Sequence, residues 1–206
     1  MVELLVATTN PGKLAEVRDF LNSLPVKTIA LASLETWPEI VEDGATFEEN
    51  ALKKARTLAT FSGLLTVADD SGLEVDALAG APGIYSARYS GEDGNDTRNN
   101  EKLLRELKHV PEEKRSARFV CALALCAPSP TSMKERVFRE SCEGRIALAP
   151  RGENGFGYDP LFFYPPFGKT FGEIDRAAKA RVSHRGKALK KLADMLPSLV
   201  DLNPKP

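Results

Sequence analysis

The chain has 206 residues, enough for one large domain or for two lobes that share a core. An apolar share of 42% is ordinary for a globular protein, and a formal net charge of -1 excludes a global basic field for nucleic acid or acidic membranes. No apolar run reaches membrane-spanning length, and the opening Met1-Val2-Glu3-Leu4-Leu5-Val6 has neither signal-peptide nor transit-peptide character, so the expected compartment is the cytoplasm.

Glu3 to Thr8 reads as a first strand. Thr9-Asn10-Pro11-Gly12-Lys13 follows, with Asn10 suited to a helix N-cap and Pro11 to the first helical position. Leu14, Val17, Phe20 and Leu21 recur at helical spacing, which predicts a helix to about Asn22. A strand, a polar turn and a helix N-terminus favour an anion. Lys13 stands where the helix dipole disfavours a cation, so it is either solvated or faces a phosphate. The spacing is not that of a Walker A loop.

Val26 to Leu31 predicts a second strand. Thr46 and Glu49 form a capping box for a helix whose apolar face is Phe47, Ala51, Leu52, Ala55, Leu58 and Ala59. Lys53, Lys54 and Arg56 are a solvated face, or one of them enters a cleft. Gly63 to Val67 reads as a short buried strand that ends at Ala68-Asp69-Asp70-Ser71-Gly72-Leu73. Two adjacent acids at a strand end are either a solvated turn or a cation site. Carboxylates with water suit Mg²⁺.

Leu73 to Leu78 reads as a helical or turn segment, and Gly80 to Gly91 as a long loop of the kind that is usually functional or mobile. Asp96 or Thr97 starts a helix that Pro111 ends. Ala117 to Ala127 and Val137 to Leu148 read as a hairpin turned at Pro128-Ser129-Pro130, the second strand interrupted at Glu143-Gly144. Gly152 to Pro160 is glycine-rich and leaves Phe156 on a flexible arm. Leu161 to Tyr164 is a short strand, and Phe171 to Arg181 a helix. Ser183 caps the last helix, with His184 and Arg185 in its first turn, another cation-at-the-positive-end conflict that an electronegative ligand would resolve. An odd count of three cysteines argues against a disulfide framework, and Cys121 and Cys126 read as buried. Two histidines, His109 and His184, are too few for a His-based zinc centre. The fold class expected is α/β.

Five motifs now resemble one family. They are Ala7-Thr8-Thr9-Asn10-Pro11-Gly12-Lys13, Ala68 to Leu73, Gly80 to Tyr89, Phe156-Gly157-Tyr158-Asp159-Pro160 and Ser183-His184-Arg185-Gly186. In order, and spanning nearly the whole chain, they resemble the inosine triphosphate pyrophosphatase family in its bacterial or archaeal version. The resemblance implies a single α/β domain over 1–206, with an elongated mixed sheet flanked by helices and two lobes around a central cleft. It also implies a homodimer that uses Mg²⁺ to convert dITP, ITP and XTP to monophosphates and pyrophosphate. By position, Thr8, Thr9, Asn10, Pro11, Gly12, Lys13 and Lys54 meet phosphates. Asp70 is the proton acceptor and a metal residue, with Ser71 at the substrate. Phe156, Gly157, Tyr158, Asp159, His184 and Arg185 surround the base, and Lys179 is a further substrate ligand. Glu42 assists the metal, with Glu39 close by.

In such a reaction water attacks the α-phosphorus and pyrophosphate leaves. Lys13, Lys54 and Mg²⁺ meet the charge that builds there, and Asp70 holds the metal, orients the water or takes its proton. Asp69 or Glu42 shares the work. Phe156 offers a stacking face and Arg185 offers donors, which favour a 6-oxo purine over adenine. Two alternatives are a nucleotide pyrophosphatase of broader or modified-pyrimidine specificity and a nucleotide sensor without turnover.

Overall fold

The computed structural model describes residues 2–91, 95–129 and 133–200, with side chains described as far as 196. Seven strands form one open mixed sheet: β1 (Val2–Ala7), β2 (Val26–Ala30), β3 (Leu65–Val75), β4 (Ser116–Ala127), β5 (Lys134–Ile146), β6 (Phe162–Tyr164) and β7 (Lys169–Thr170). The order is β2-β1-β3-β4-β5-β6-β7. β1 pairs in parallel with β2 and β3, while β6 pairs antiparallel with β5 and β7. The helices are α1 (Pro11–Leu21), α2 (Phe47–Ser62), α3 (Asp96–Glu106), α4 (Arg176–Val182) and α5 (His184–Val200).

The chain divides into two compact units. Unit 1 takes residues 1–70, 121–140 and 185–206. Its core joins Leu4 and Val6 of β1, Val17 and Leu21 of α1, Val67, Leu123, and Leu189, Leu192 and Leu196 of α5. Unit 2 takes residues 71–120 and 141–184. Its core is aromatic: Phe119, Phe162 and Phe171 lie with ring centroids 4.5 to 6.0 Å apart. Each fully buried side chain of this size contributes about 1.5–3 kcal/mol.

Local signals explain most boundaries. Asn10 caps α1 by accepting from the Lys13 amide at 3.0 Å, with Pro11 at the first position. Thr46 caps α2 by accepting from the Glu49 amide at 3.1 Å, but Glu49 reaches back to the amide of Ala45 rather than of the cap residue. Gly63 closes α2 in the left-handed region.

Four expectations change. β3 does not end at the acidic pair but runs on to Val75, and only Asp76–Leu78 forms a 3-10 turn. Gly80 to Gly91 is not one open loop, since Gly83–Arg88 is 3-10 helix and Glu74 bridges Pro82. β5 passes through Glu143-Gly144 without a break. A Cβ on Gly144 would come within 2.6 Å of the Phe162 ring and of the Phe163 carbonyl, so the glycine admits a close neighbour. Phe171 to Arg181 is not one helix: a 3-10 turn, Phe171–Glu173, precedes α4, which Asp175 caps separately. Of the expected hairpin turn, Pro130 lies outside the described residues.

Candidate active site

β1 leads through α1 to β2 on one side, and the chain then returns through α2 to β3 on the other side of β1. Such a reversal opens a crevice beyond the carboxyl ends of the strands. β1 stops at Ala7, which is in register with Ala68 of β3. Asp69 and Asp70 therefore lie level with the turn Thr8 to Lys13 that leaves β1. The strand that carries the acids outruns its neighbour, and that brings them to the crevice.

Successive side chains on a strand face opposite ways. The two aspartates accordingly take different partners. Asp69 receives the Lys13 ammonium at 2.5 Å and the Arg185 Nε at 2.9 Å. The Cys121 thiol donates to it at 3.1 Å. The second arm of the Arg185 guanidinium holds Glu16 of α1. Arg185 is only 2% exposed. Burial opposes ionisation of Asp69, yet the charges of Arg185 and Lys13 outweigh it and hold the carboxyl well below its ordinary range. Both first-turn cations that the helix dipoles disfavour, Lys13 on α1 and Arg185 on α5, are thus reconciled by Asp69.

Asp70 faces α2. Its Oδ1 lies 3.4 Å from the Lys54 ammonium, which also donates to the Asp69 backbone carbonyl at 2.9 Å and to Glu42 Oε1 at 3.1 Å. Burial works against the charge on Lys54, but Asp70, Glu42 and Asp69 outweigh it and raise its pKa. Asp70 shifts the other way from Asp69: burial raises its pKa, Glu42 and Asp69 add to this, and Lys54 and Lys13 offset only part. Its Oδ2 is buried and has no hydrogen-bond partner among the described residues. The segment that carries Glu42 is fixed from α2. The Gly44 amide donates to Asn50 at 2.8 Å and Lys53 pairs with Asp43 at 2.5 Å. Glu39 is exposed.

A second cluster lies in unit 2. Asp159 accepts from the Phe156 amide at 2.9 Å and from the Lys179 ammonium at 2.6 Å. That ammonium stands 4.7 Å from the centroid of the Phe156 ring. Phe156 is half-buried, with an anchored backbone rather than a flexible arm. Gly155 at φ 80° is required here, because a Cβ would meet Asp159 at 1.9 Å. His184 stacks on Phe119, the rings 4.8 Å apart.

The sequence model of the Ham1 family matches residues 4–195. The chain belongs to the Ham1 family. A relative from Syntrophobacter fumaroxidans, named dITP/XTP pyrophosphatase, is 56% identical over 189 residues, 92% of this chain and 79% of that protein. Another of the same name, from Geobacter sulfurreducens, is 53% identical over 95% of this chain and 97% of its own length. Among solved structures, a HAM1 protein from Coxiella burnetii superposes with a TM-score of 0.86 at 41% identity, covering 96% of this chain and all of that one.

Within this Ham1 chain, the structure gathers Asn10, Lys13, Glu42, Lys54 and Asp70 in unit 1, and Phe156, Asp159 and Lys179 in unit 2. Thr8 shapes the first turn by accepting from the Asn10 amide at 3.1 Å, and Ser71 follows Asp70 on β3. Arg185 is the residue whose surroundings differ most from expectation: it belongs to unit 1, with its guanidinium on two carboxylates. Glu16 and Asn50 go unread in the sequence. Each looks like an ordinary helix-surface residue, but Glu16 meets the buried Arg185 and Asn50 is itself buried.

Proposed function

We propose that the chain is a Mg²⁺-dependent pyrophosphatase for non-standard purine nucleoside triphosphates, converting dITP, ITP and XTP to monophosphates and pyrophosphate. The observation that carries this is the buried Asp70 carboxylate, with one oxygen on Lys54 and the other without a partner, level with a helix N-terminus that presents Lys13. The names of the Ham1 relatives support the same reaction.

The donor set suits magnesium. Among the described residues no group of three or more His, Cys, Asp and Glu side chains is placed to hold a metal. Mg²⁺ needs only one or two carboxylates, completing its shell with water and phosphate oxygens. Asp70 and Glu42, which share the Lys54 ammonium, would hold it. When bound, it supplies charge neutralisation and polarisation at the phosphates. Lys13 and Lys54 bind and orient the β- and γ-phosphates and meet the charge of the leaving pyrophosphate. Asp70 is placed to orient the attacking water or to take its proton, and in the metal-free protein burial raises its pKa. Asp69, held ionised by two cations, sets the position of Lys13.

Phe156 supplies a stacking face for the purine. Lys179 beside it donates hydrogen bonds and accepts none, which suits a 6-oxo group and opposes a 6-amino group. Thr8 to Lys13 would take the phosphates, and Gly157, Tyr158 and His184 would complete the base site. The enzyme would act in the cytoplasm as a homodimer, cleansing the nucleotide pool. A broader pyrimidine-accepting pyrophosphatase and a non-catalytic sensor are the competing readings. A panel of nucleoside triphosphates with Mg²⁺, followed by phosphorus NMR, separates them. ITP and XTP are expected to give pyrophosphate and a monophosphate. Inorganic phosphate with a diphosphate would place attack at the γ-phosphorus and overturn the mechanism, and no turnover of any substrate would leave the sensor.

A further inference from the structure

The glycine-rich loop that carries Phe156 is gripped by a helix that none of the recognised motifs includes. Asp96 and Asn100 stand one turn apart on α3, so their side chains share a face. Asp96 Oδ2 accepts from the amide of Gly157 at 2.6 Å, and Asn100 Nδ2 donates to the carbonyl of the same residue at 2.9 Å. Both backbone groups of one residue, the one next to Phe156, are thereby fixed by two side chains of one rigid element. Neither side chain serves the helix itself, since Asn95 provides the cap by accepting from the Arg98 amide at 2.9 Å. Asn100 Oδ1 has no hydrogen-bond partner among the described residues, so among them the bond to Gly157 is what orients this amide. Asn99, between them, ties α3 to the 3-10 segment by accepting from the Ser90 amide at 2.7 Å and donating to the Ala87 carbonyl at 3.0 Å. The Tyr158 hydroxyl reaches the same segment, donating to the Ser86 carbonyl at 2.8 Å.

We propose that Asp96 and Asn100 are positioning residues for base recognition, holding the Gly157 peptide so that Phe156 is preset as a platform before the nucleotide arrives. This rests on the reading of Phe156 as the base-stacking residue. The physical basis is preorganisation. Without the clamp, a loop bearing Gly152, Gly155 and Gly157 would keep only the Asp159 and Gly172 anchors, and the ordering still required of the ligand would be subtracted from affinity. The clamp acts on base binding and not on phosphate binding, so its loss has a signature that general destabilisation lacks.

The test uses the whole enzyme with Mg²⁺ and two competitive inhibitors, inosine monophosphate, which carries the base, and pyrophosphate, which does not. Asp96→Ala and Asn100→Ala should each weaken inhibition by inosine monophosphate about fivefold, the worth of one hydrogen bond. Pyrophosphate inhibition should stay within about twofold, and KM for ITP should rise more than kcat falls. Asp96→Asn keeps an acceptor for the Gly157 amide and should restore inosine monophosphate binding. Thermal melts establish that each variant is folded. Phe156→Ala is measured alongside. If it weakens inosine monophosphate binding while both α3 variants leave it unchanged, the clamp is refuted and the base site stands. Parallel loss of both inhibitors would make α3 a general scaffold and also refute the clamp. Should Phe156→Ala leave inosine monophosphate binding unchanged, the base site and the clamp fail together.

Discussion

Replacing Arg185 by methionine is the most informative perturbation, because it separates two roles for one residue. The guanidinium is 2% exposed, 2.9 Å from Asp69, and in contact with Glu16. Methionine fills similar volume but leaves a buried Asp69 carboxylate with one cation fewer, and a Glu16 carboxylate without its guanidinium. Removing one partner of a buried ion pair costs about 3–5 kcal/mol, most of it the stranded charge. For a chain of this size each kcal/mol moves the thermal midpoint by about 2–4 °C, so a fall of about 6–20 °C is expected. Replacing Glu16 by glutamine in the same background should recover part of that loss, because it removes a charge that has lost its counterion. On activity, if Lys13 binds phosphate as proposed, Arg185 acts on it through Asp69, so kcat/KM for ITP and ATP should fall together. Differential scanning fluorimetry and steady-state kinetics on both substrates decide the matter. A midpoint shift below about 2 °C combined with a collapsed ITP/ATP ratio would refute the buried-network reasoning and return Arg185 to the base.

Two further outcomes follow from the site. Asp70→Asn should lower turnover by at least about a hundredfold, as loss of a positioned proton acceptor does. It should also stabilise the metal-free protein at neutral pH. The folded Asp70 carboxyl has a pKa raised above 3.8 by burial, so its ionisation weighs against folding as pH rises through and beyond that value. The mutant's advantage in thermal midpoint should therefore grow from acid to neutral pH in chelator-treated buffer, and a constant gap would contradict the assigned shift. Phe156→Ala should raise KM for ITP, XTP and ATP alike by about tenfold or more, since stacking on an aromatic ring is worth about 1–3 kcal/mol for any base. A loss confined to one substrate would show that the ring reads the 6-substituent.

Elements whose signals are local could be read from the sequence. Asn10 with Pro11, and Thr46 with Glu49, announce α1 and α2 because capping is decided within four residues. The acidic pair reads in the sequence as the end of a strand, a solvated turn or a cation site, whereas β3 runs on through it. Asp, Ser and Gly favour turns in isolation, and only pairing with neighbouring strands carries β3 through them. Gly144 similarly marks a close approach by Phe162 instead of a break, which depends on a contact eighteen residues away. Arg185 is the sharpest case. Its unfavourable place at the head of α5 is visible in the sequence, where it points to an electronegative ligand group or to solvent. What satisfies it is Asp69, 116 residues distant in the chain, and no spacing rule reaches that far.

Asp69 and Asp70 show how one dipeptide yields two different acids. Alternation along β3 sends one toward α1 and α5, where two cations hold it ionised, and the other toward α2, where burial and Glu42 oppose a single shared lysine. Their pKa values are driven in opposite directions by surroundings alone. Under the proposed function that separation would divide the labour: an ionised Asp69 would fix Lys13 for phosphate, and Asp70, one oxygen of which has no hydrogen-bond partner among the described residues, would serve the metal and the attacking water. Exchanging the two residues' surroundings would exchange their roles. It follows that Asp69→Asn should act chiefly on triphosphate affinity and Asp70→Asn chiefly on the rate of the chemical step.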